Sequence, residues 1–476
     1  MAADRIAVLA PAPQHEPSAD SLLAFPDPLQ GDPLLQRFLE SAVAQLCQWW
    51  ASSGSRSPLP LLSVLPDLAP PPQGLAPDAL LADLQLVMDG AFNPSHPGSL
   101  AHLDPPPLAA GVAAELVAAG MNNNLLAEEL SPSLTRLERG LCGWMAAALG
   151  LGEQAGGVAA SGGSLSNLMA LVVARHRAGL AGQSNAVVLC SADAHVSLGK
   201  ALMVMGLPAE ALWPVAVDGH GALAIDALHG ALERAEREGR PVLAVVATAG
   251  TTVRGAVDPI AAMAELCRSR GIWLHVDGAI GAVFALSASH RSRVPDLGLA
   301  DSLTVNPQKL LGIPKSSSLL LLRQPSLLAS CFATGLPYME PSWADAHGGE
   351  CGLQGTRPAE ILKLWLGLRQ LGRSGIDSLL EGAVRRRERL QQLLEPLPLQ
   401  LCGGPLHVLA FCPQAADAAA AAAWSSTTRQ RLLDQQLMLS RPLYAGRHHL
   451  KAVLGNPHTG EAELQRLQAV VEASLP

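Results

Sequence analysis

Short apolar runs that alternate with helical segments occupy the middle of the chain and limit the folds open to it. Three runs have the length and composition of buried strands, at residues 185–190, 242–248 and 272–276. Helical patterns lie between them at 225–238 and 259–270. Strands that are apolar throughout and alternate with helices form a largely parallel sheet covered on both faces. The pattern therefore predicts an α/β domain that binds its ligands at the carboxyl ends of the strands.

Reactive side chains stand at those strand ends. His195 follows the first run, Thr252 follows the second, and Asp277 ends the third. Lys309 lies on a proline-containing turn after a fourth apolar run, 303–305. Two leucines follow this lysine, and desolvation lowers the pKa of an amine and makes it a better nucleophile toward carbonyls. The turn therefore predicts Schiff-base chemistry, with a solvated loop charge as the alternative.

A glycine-rich segment between Gly156 and Ser164 leads into a helix that runs to about Arg177. Glycines let the backbone turn tightly and approach a ligand closely. The free N–H groups of the first helical turn, reinforced by the helix dipole, form an anion site to which Ser164 adds a hydroxyl. The segment predicts a phosphate site, and an ordinary flexible loop with a helix cap is the alternative.

Charge and hydropathy exclude several classes of partner. A net charge of −8 and an isoelectric point near 6.0 argue against nucleic acids and anionic membranes, which call for a basic excess. The charge-free run 154–174 contains four glycines and does not read as a membrane span. The first residues do not form a signal peptide, so we expect a cytosolic protein. Eight scattered cysteines without a Cys-x-x-Cys pair indicate reduced thiols and no metal site.

Taken together, the motifs resemble those of the group II pyridoxal 5′-phosphate (PLP) decarboxylases, which include glutamate, cysteine-sulfinate, aromatic amino acid and diaminobutyrate decarboxylases. The similar segments are Ser161-Gly-Gly-Ser164, Ala194-His-Val-Ser197, His275-Val-Asp-Gly-Ala279 and Asn306-Pro-Gln-Lys309. The resemblance covers the chain from about Asn93 to its end. The chain departs from the family at Gln308, where the residue before the lysine is usually histidine.

The resemblance implies a fold-type I PLP-dependent enzyme with three parts. Residues 1–85 would form an N-terminal arm that is partly disordered, with a helix over about 34–50. Residues 86–345 would form the large, mostly parallel-sheet domain that binds PLP. Residues 346–476 would form a helical linker and a small C-terminal α+β domain, and two copies of the chain would form a homodimer.

The resemblance also implies roles for individual residues. Lys309 would form the Schiff base, Asp277 would keep the pyridine nitrogen protonated, and His195 would stack on the ring. The implied cofactor contacts are Gly163, Ser164, His195, Thr252, Asp277, Ala279, Asn306 and Lys309. Substrate contacts are expected from Arg357 and from a mobile loop that contains Tyr338 and His347. Because Tyr338 falls near the start of that loop, we expect His347 or water to be the proton donor.

The implied reaction is decarboxylation of a small polar L-amino acid of the glutamate, 2,4-diaminobutyrate or aspartate class to its amine and CO₂. The chain would thus be a carboxy-lyase of amino acid metabolism. The bond that breaks is the one held perpendicular to the cofactor ring, and sequence motifs do not show that orientation. The alternatives are transamination, carbon–sulfur cleavage, aldehyde formation coupled to decarboxylation, or a non-catalytic relative, although Lys309 and Asp277 argue against the last.

Overall fold

A computed structural model describes residues 25–61, 65–336 and 347–475. The chain divides into two compact units, one that ends at His96 and one that begins at Pro97. The first unit contains helices α1 (Pro33–Ala51) and α2 (Pro77–Asp89). The carboxylate of Asp32 caps α1 by accepting the N–H groups of its first turn. The indole of Trp49 in α1 donates to the carbonyl of Met88 in α2 at 2.8 Å.

A seven-stranded sheet forms the centre of the second unit. Its strands are β1 (Gly156–Ala160), β2 (Val187–Ser191), β3 (Leu212–Val215), β4 (Val242–Thr248), β5 (Trp273–Gly278), β6 (Ser302–Val305) and β7 (Ser318–Leu322). Their order is β1-β7-β6-β5-β4-β2-β3, and every neighbouring pair from β6 to β3 is parallel. Strand β7 is antiparallel to both of its neighbours. This arrangement confirms the predicted α/β architecture with a mostly parallel sheet.

Helices cover both faces of the sheet, as strands without polar alternation require. They are α3 (Ala109–Met121), α4 (Pro132–Ala148), α5 (Gly163–Arg177), α6 (Ser197–Val204), α7 (Ile225–Arg237), α8 (Ile260–Arg270), α9 (Ser326–Phe332) and α10 (Ile361–Leu394). In β2, Val187 and Leu189 join a core that includes residues of α4, α7, α8 and α10. Val188 and Cys190 face the opposite core, with α5 and α6. Both faces of the strand are therefore buried.

Strand β1 differs from the sequence prediction, which placed its residues in a phosphate loop that leads directly into a helix. The glycines instead allow a close antiparallel pairing with β7. A Cβ atom on Gly157 would lie 2.0 Å from the carbonyl oxygen of Leu320, so no other residue fits at that position without a shift of the backbone. Helix α5 then begins at Gly163, after the strand has ended.

The C-terminal part of the second unit is a small α+β layer. A three-stranded antiparallel sheet contains β8 (Leu399–Gly403), β9 (Val408–Pro413) and β12 (Leu450–Val453), and a short hairpin contains β10 (Leu443–Tyr444) and β11 (Arg447–His448). Helices α11 (Ala418–Asp434) and α12 (Glu461–Glu472) share a separate hydrophobic core with this sheet and the last turns of α10. Helix α10 is interrupted at Gly372, whose φ of 59° is left-handed. Within the described ranges, no helix combines the length and the hydropathy of a membrane span.

Candidate active site

A cavity of about 430 Å³ lies at the carboxyl ends of β2, β4, β5 and β6. This is the edge of a parallel sheet where ligands bind. The wall contains every residue that the sequence predicted as a cofactor contact, namely Gly163, Ser164, His195, Thr252, Asp277, Ala279, Asn306 and Lys309. The structure therefore brings together residues that are spread over almost 150 positions of the sequence.

Lys309 ends a single turn of 3₁₀ helix that begins at Pro307, directly after β6. Its backbone N–H donates to the carbonyl of Asn306 at 3.1 Å, which fixes the turn and directs the chain out of the sheet. Burial lowers the pKa of the Lys309 amine, while the carboxylates of Asp277 and Asp104 oppose that shift. A larger fraction of the amine is thus uncharged and nucleophilic than for a lysine in water.

Asp277 is the second-last residue of β5 and is buried, with 5% of its surface exposed. Its two carboxylate oxygens accept hydrogen bonds from the side-chain amide of Asn167 at 2.8 Å and from the N–H of Ala279 at 3.1 Å. These donors fix the orientation of the carboxylate. Asp277 can therefore present a negative charge to a cationic group in the cavity.

Asn167 is held in turn by a network of buried side chains. Its amide oxygen accepts from the hydroxyl of Thr304 at 2.8 Å and lies 3.1 Å from Nε2 of His275, and its amide nitrogen donates to the hydroxyl of Ser197 at 3.0 Å. Burial lowers the pKa of His275 to about 4, so this ring is neutral at physiological pH. Sequence analysis did not identify Asn167 as a site residue, and the available signal was its place in the first turns of the helix that follows the glycines.

His195 lies in the loop after β2, at the side of the cavity. Its Nδ1 accepts the N–H of Ser197 at 3.2 Å, which leaves Nε2 to carry the ring proton. Burial lowers the pKa of His195, and Lys309 adds to this effect while Asp277 opposes it. A neutral, flat ring in this place suits stacking on a heterocycle.

The amino end of α5 forms the part of the wall that suits an anion. A Cβ atom on Gly163 would lie 2.9 Å from the amide of Asn306, so this close contact requires glycine. The Asn306 amide is itself 2.7 Å from the hydroxyl of Ser318. The N–H groups at the start of α5 point outward, and the helix dipole favours negative charge there.

Three observations show that this cavity fits PLP. The amino end of α5 suits the phosphate, the buried carboxylate of Asp277 suits a protonated pyridine nitrogen, and the Lys309 amine suits the aldehyde. In addition, the buried hydroxyl of Thr248 in the wall has no hydrogen-bond partner among the described residues. A ligand with an oxygen acceptor would satisfy it.

Of the three predicted substrate contacts, two lie outside the cavity wall and the third lies outside the described residues. Arg357 does not line the cavity: its guanidinium forms two hydrogen bonds with the carboxylate of Glu138, at 2.9 and 3.0 Å, and both side chains are buried. His347 is also outside the cavity wall, and its Nδ1 accepts the N–H of Glu128 at 3.1 Å. Tyr338 lies outside the described residues.

Two further side chains contact or line the cavity wall, those of Lys451 and Gln308. Lys451 in β12 is 6% exposed, and its ammonium donates to the carbonyl of Thr252 at 3.3 Å. Burial, together with the positive charge of Lys309, lowers the pKa of Lys451 to about 8. Gln308, which lines the wall, accepts a hydrogen bond from the N–H of Ser317 and so ties the lysine turn to the segment before β7. Sequence analysis did not predict the position of Lys451, since nearly 200 residues separate it from Thr252.

Fold and cavity together define a fold-type I PLP-dependent enzyme. Residues 64–400 match the family profile described as the pyridoxal-dependent decarboxylase conserved domain. The L-2,4-diaminobutyrate decarboxylase of Rhizobium meliloti (strain 1021) is 33% identical over 422 residues, which cover 86% of this chain and 84% of that protein. The aromatic-L-amino-acid decarboxylase of Bacillus atrophaeus is 31% identical over 329 residues, and this match covers 68% of each chain.

Solved structures show the same fold. The crystal structure of Oryza sativa TDC with PLP and tryptamine has a TM-score of 0.87, with 22% identity over 94% of this chain and 98% of that one. The chain belongs to the pyridoxal-dependent decarboxylase family, and it is a PLP-dependent carboxy-lyase that acts on an amino acid.

The variant Asp277→Asn tests whether the buried carboxylate keeps the pyridine nitrogen of the cofactor protonated. A neutral amide cannot hold a proton on the pyridine nitrogen, and a loss of about 3 pKa units at that nitrogen corresponds to about 4 kcal/mol, or about a thousandfold in kcat. Steady-state kinetics of the PLP-saturated variant measure the loss. Asp301→Asn is the matched control, since this carboxylate accepts the N–H of Leu274 at the opposite edge of the same sheet and should leave kcat unchanged. Near-parental turnover in Asp277→Asn would contradict the assignment.

Proposed function

We propose that this PLP-dependent decarboxylase converts a small polar L-amino acid to its amine and CO₂, with Lys309 as the lysine that holds the cofactor. The observation that carries the proposal is the convergence of the Lys309 amine, the Asp277 carboxylate and the amino end of α5 on one cavity. The cavity must contain both PLP and the substrate. Its described wall includes no Phe, Tyr or Trp to pack on an aromatic substrate, which favours a small polar one.

Bound PLP supplies an acceptor for the electron pair that the departing carboxylate leaves behind. The residues of this chain prepare that chemistry. The amino end of α5 binds the phosphate, Asp277 keeps a proton on the pyridine nitrogen, and the neutral ring of His195 packs on the face of the heterocycle. The lowered pKa of Lys309 leaves a larger fraction of its amine uncharged and so able to attack a carbonyl carbon.

Lys451 is the proposed binding partner of a substrate carboxylate. Its ammonium is buried at the edge of the cavity, and the contact found for it there is a single backbone carbonyl. A buried cation of this kind is stabilised when an anion binds beside it. Every amino acid brings at least one carboxylate, so this contact suits the proposed substrates in general.

The test of the proposed function is a product analysis with purified protein, PLP and a panel of L-aspartate, L-glutamate, L-2,4-diaminobutyrate and L-tryptophan. Released CO₂ is measured together with the amine, the aldehyde and the keto acid by mass spectrometry. We expect equal amounts of CO₂ and amine from a small polar substrate, and none from Lys309→Ala. A keto acid formed without CO₂ would show transamination instead, and aldehyde with CO₂ would show a coupled oxidation.

The binding role of Lys451 predicts a dependence of KM on pH. The pKa of Lys451 is about 8, so its ammonium is charged below that pH and loses its charge as the pH rises further. A hydrogen bond to a charged group contributes about 1.5–3 kcal/mol, so KM should rise by about ten- to a hundredfold at alkaline pH. Lys451→Arg keeps its charge and should abolish the rise. The same alkaline rise in this variant would show that another group is responsible.

We further propose that the chain forms a homodimer through the surface of α6, in the cytosol. Val196 before α6 and Met203 and Val204 within it are 71%, 69% and 63% exposed, and they follow the loop that carries His195. Exposed apolar side chains grouped on one short helix are typical of an interface. The eight cysteines form no disulfide, which suits a reducing compartment.

Light scattering in solution tests the dimer. The parent should have twice the 49.5 kDa mass of one chain, and Val204→Asp should shift it toward the monomer because a charge would be buried at the contact. Leu299→Asp, in a turn at the opposite edge of the sheet, is the matched control and should remain dimeric. A monomeric parent, or a Val204→Asp variant that stays fully dimeric, would refute the proposed interface.

A further inference from the structure

Lysine is rare in this chain, yet it gathers at the active site. The sequence contains five lysines and 28 arginines, so a surface cation here is almost always an arginine. One of the five lysines lines the cavity, a second contacts its wall, and a third lies in the loop that follows the first. Lys309 lines the cavity, Lys451 contacts the carbonyl of Thr252 in its wall, and Lys315 lies six residues after Lys309. The function proposed above uses the first two and leaves Lys315 without a role.

Lys315 forms an ion pair with Asp104 in which the ammonium and a carboxylate oxygen are 2.7 Å apart. The two backbones that carry this pair are in direct contact. The N–H of Leu108 donates to the carbonyl of Gly312 at 2.7 Å, and a Cβ atom on Gly312 would lie 2.9 Å from the carbonyl oxygen of Pro106. The pair is therefore held against the loop that follows the cofactor lysine.

The carboxylate of Asp104 interacts electrostatically with the two lysines at the cavity. The carboxylate of Asp104 raises the pKa of Lys309 and of Lys451, in both cases against the larger lowering by burial. The pKa of His102 is lowered mainly by burial, with Asp104 opposing and with Lys451, Arg429 and Lys315 adding to the lowering. We call His102, Asp104, Lys315 and Lys451 the rim cluster.

The rim cluster has an excess of positive charge. When Lys309 holds the cofactor and Asp277 pairs with the pyridine nitrogen, the cluster presents two lysines and one aspartate, because the lowered pKa keeps His102 neutral. An acidic amino acid has a net charge of −1 at neutral pH, and a diamino acid has +1. Coulomb interaction with the rim cluster attracts the first and repels the second.

Resting on the proposed decarboxylation, we infer that the substrate is an acidic amino acid of the aspartate or glutamate type and that Lys315 binds its side-chain carboxylate. The ammonium of a lysine has three donors, and Asp104 accepts one of them. The remaining donors are free to bind an anion while Asp104 holds the side chain in place. Lys315 is 56% exposed and Asp104 is 30% exposed, so the lysine is the partner that solvent and a substrate can reach.

Lys315→Met tests this specificity role because it removes the charge and keeps an unbranched side chain. The parent should have a higher kcat/KM for L-aspartate or L-glutamate than for L-2,4-diaminobutyrate. The variant should lose about tenfold or more in kcat/KM for the acidic substrates, chiefly through KM, and should lose nothing for diaminobutyrate. Arg237→Met, which removes an exposed cation on α7, is the matched control and should behave as the parent.

A binding measurement separates this inference from the proposed function. Calorimetry with succinate and glutarate, which cannot be decarboxylated in this way, should give a Kd for the PLP-bound enzyme that Lys315→Met weakens by about tenfold. The PLP content, from absorbance, should not change. A protein that binds these dicarboxylates through Lys315 but releases no CO₂ from any amino acid would refute the proposed function and support the assignment of Lys315.

The variant Asp104→Asn tests the opposite assignment, in which Asp104 and not Lys315 binds the side chain of the substrate. If Lys315 is the binding residue, this variant should keep its preference for acidic substrates, since the lysine remains. A parent that prefers L-2,4-diaminobutyrate, together with loss of that activity in Asp104→Asn and not in Lys315→Met, would overturn the inference and identify Asp104 as the site for the substrate's side chain. Unchanged kinetics and unchanged dicarboxylate binding in Lys315→Met would also overturn it.

Discussion

The burial of Asp277 is the constraint on which the rest of this site depends. A carboxylate that is 5% exposed is stable only with hydrogen-bond donors around it, and the Asn167 amide is the donor that reaches it from α5. Because Asn167 is also bound to Thr304 in β6 and to Ser197 in α6, one network fixes four elements around the carboxylate. The amino end of α5 is thereby fixed relative to Asp277.

The sequence was sufficient for those parts of the fold and site that local patterns encode. Continuous apolar runs predicted β4 and its neighbours, and short motifs predicted eight residues that the structure brings to one cavity. Strand β1 was missed because its glycines indicate a loop, and their use in a close pairing with β7 is visible only in three dimensions. Lys451 was missed because its contact with Thr252 depends on how the C-terminal sheet packs. The motif containing Arg357 gave no sign that Glu138 binds its guanidinium.

We propose that the charge of the rim cluster beside the cavity governs the choice of substrate. Relatives named for a diamino acid and for aromatic amino acids match this chain at 33% and 31% identity, so membership of the family does not determine the side chain of the substrate. In the specificity that we propose, the choice of substrate depends on Asp104 and Lys315, which are carried by backbones that are hydrogen-bonded to each other. Neither side chain belongs to the hydrogen-bond network of Asp277 and Asn167, so under this proposal a change of charge at Lys315 leaves that network intact.

The central claim is that Lys309 is the residue that holds the cofactor. Reduction of the PLP-bound protein with borohydride makes the bond between lysine and cofactor permanent, and peptide mapping by mass spectrometry then locates it. The structure predicts the pyridoxyl group on the peptide that contains Lys309, since this amine lines the cavity and burial lowers its pKa. A pyridoxyl group on Lys315 or Lys451, or on no lysine, would contradict the account.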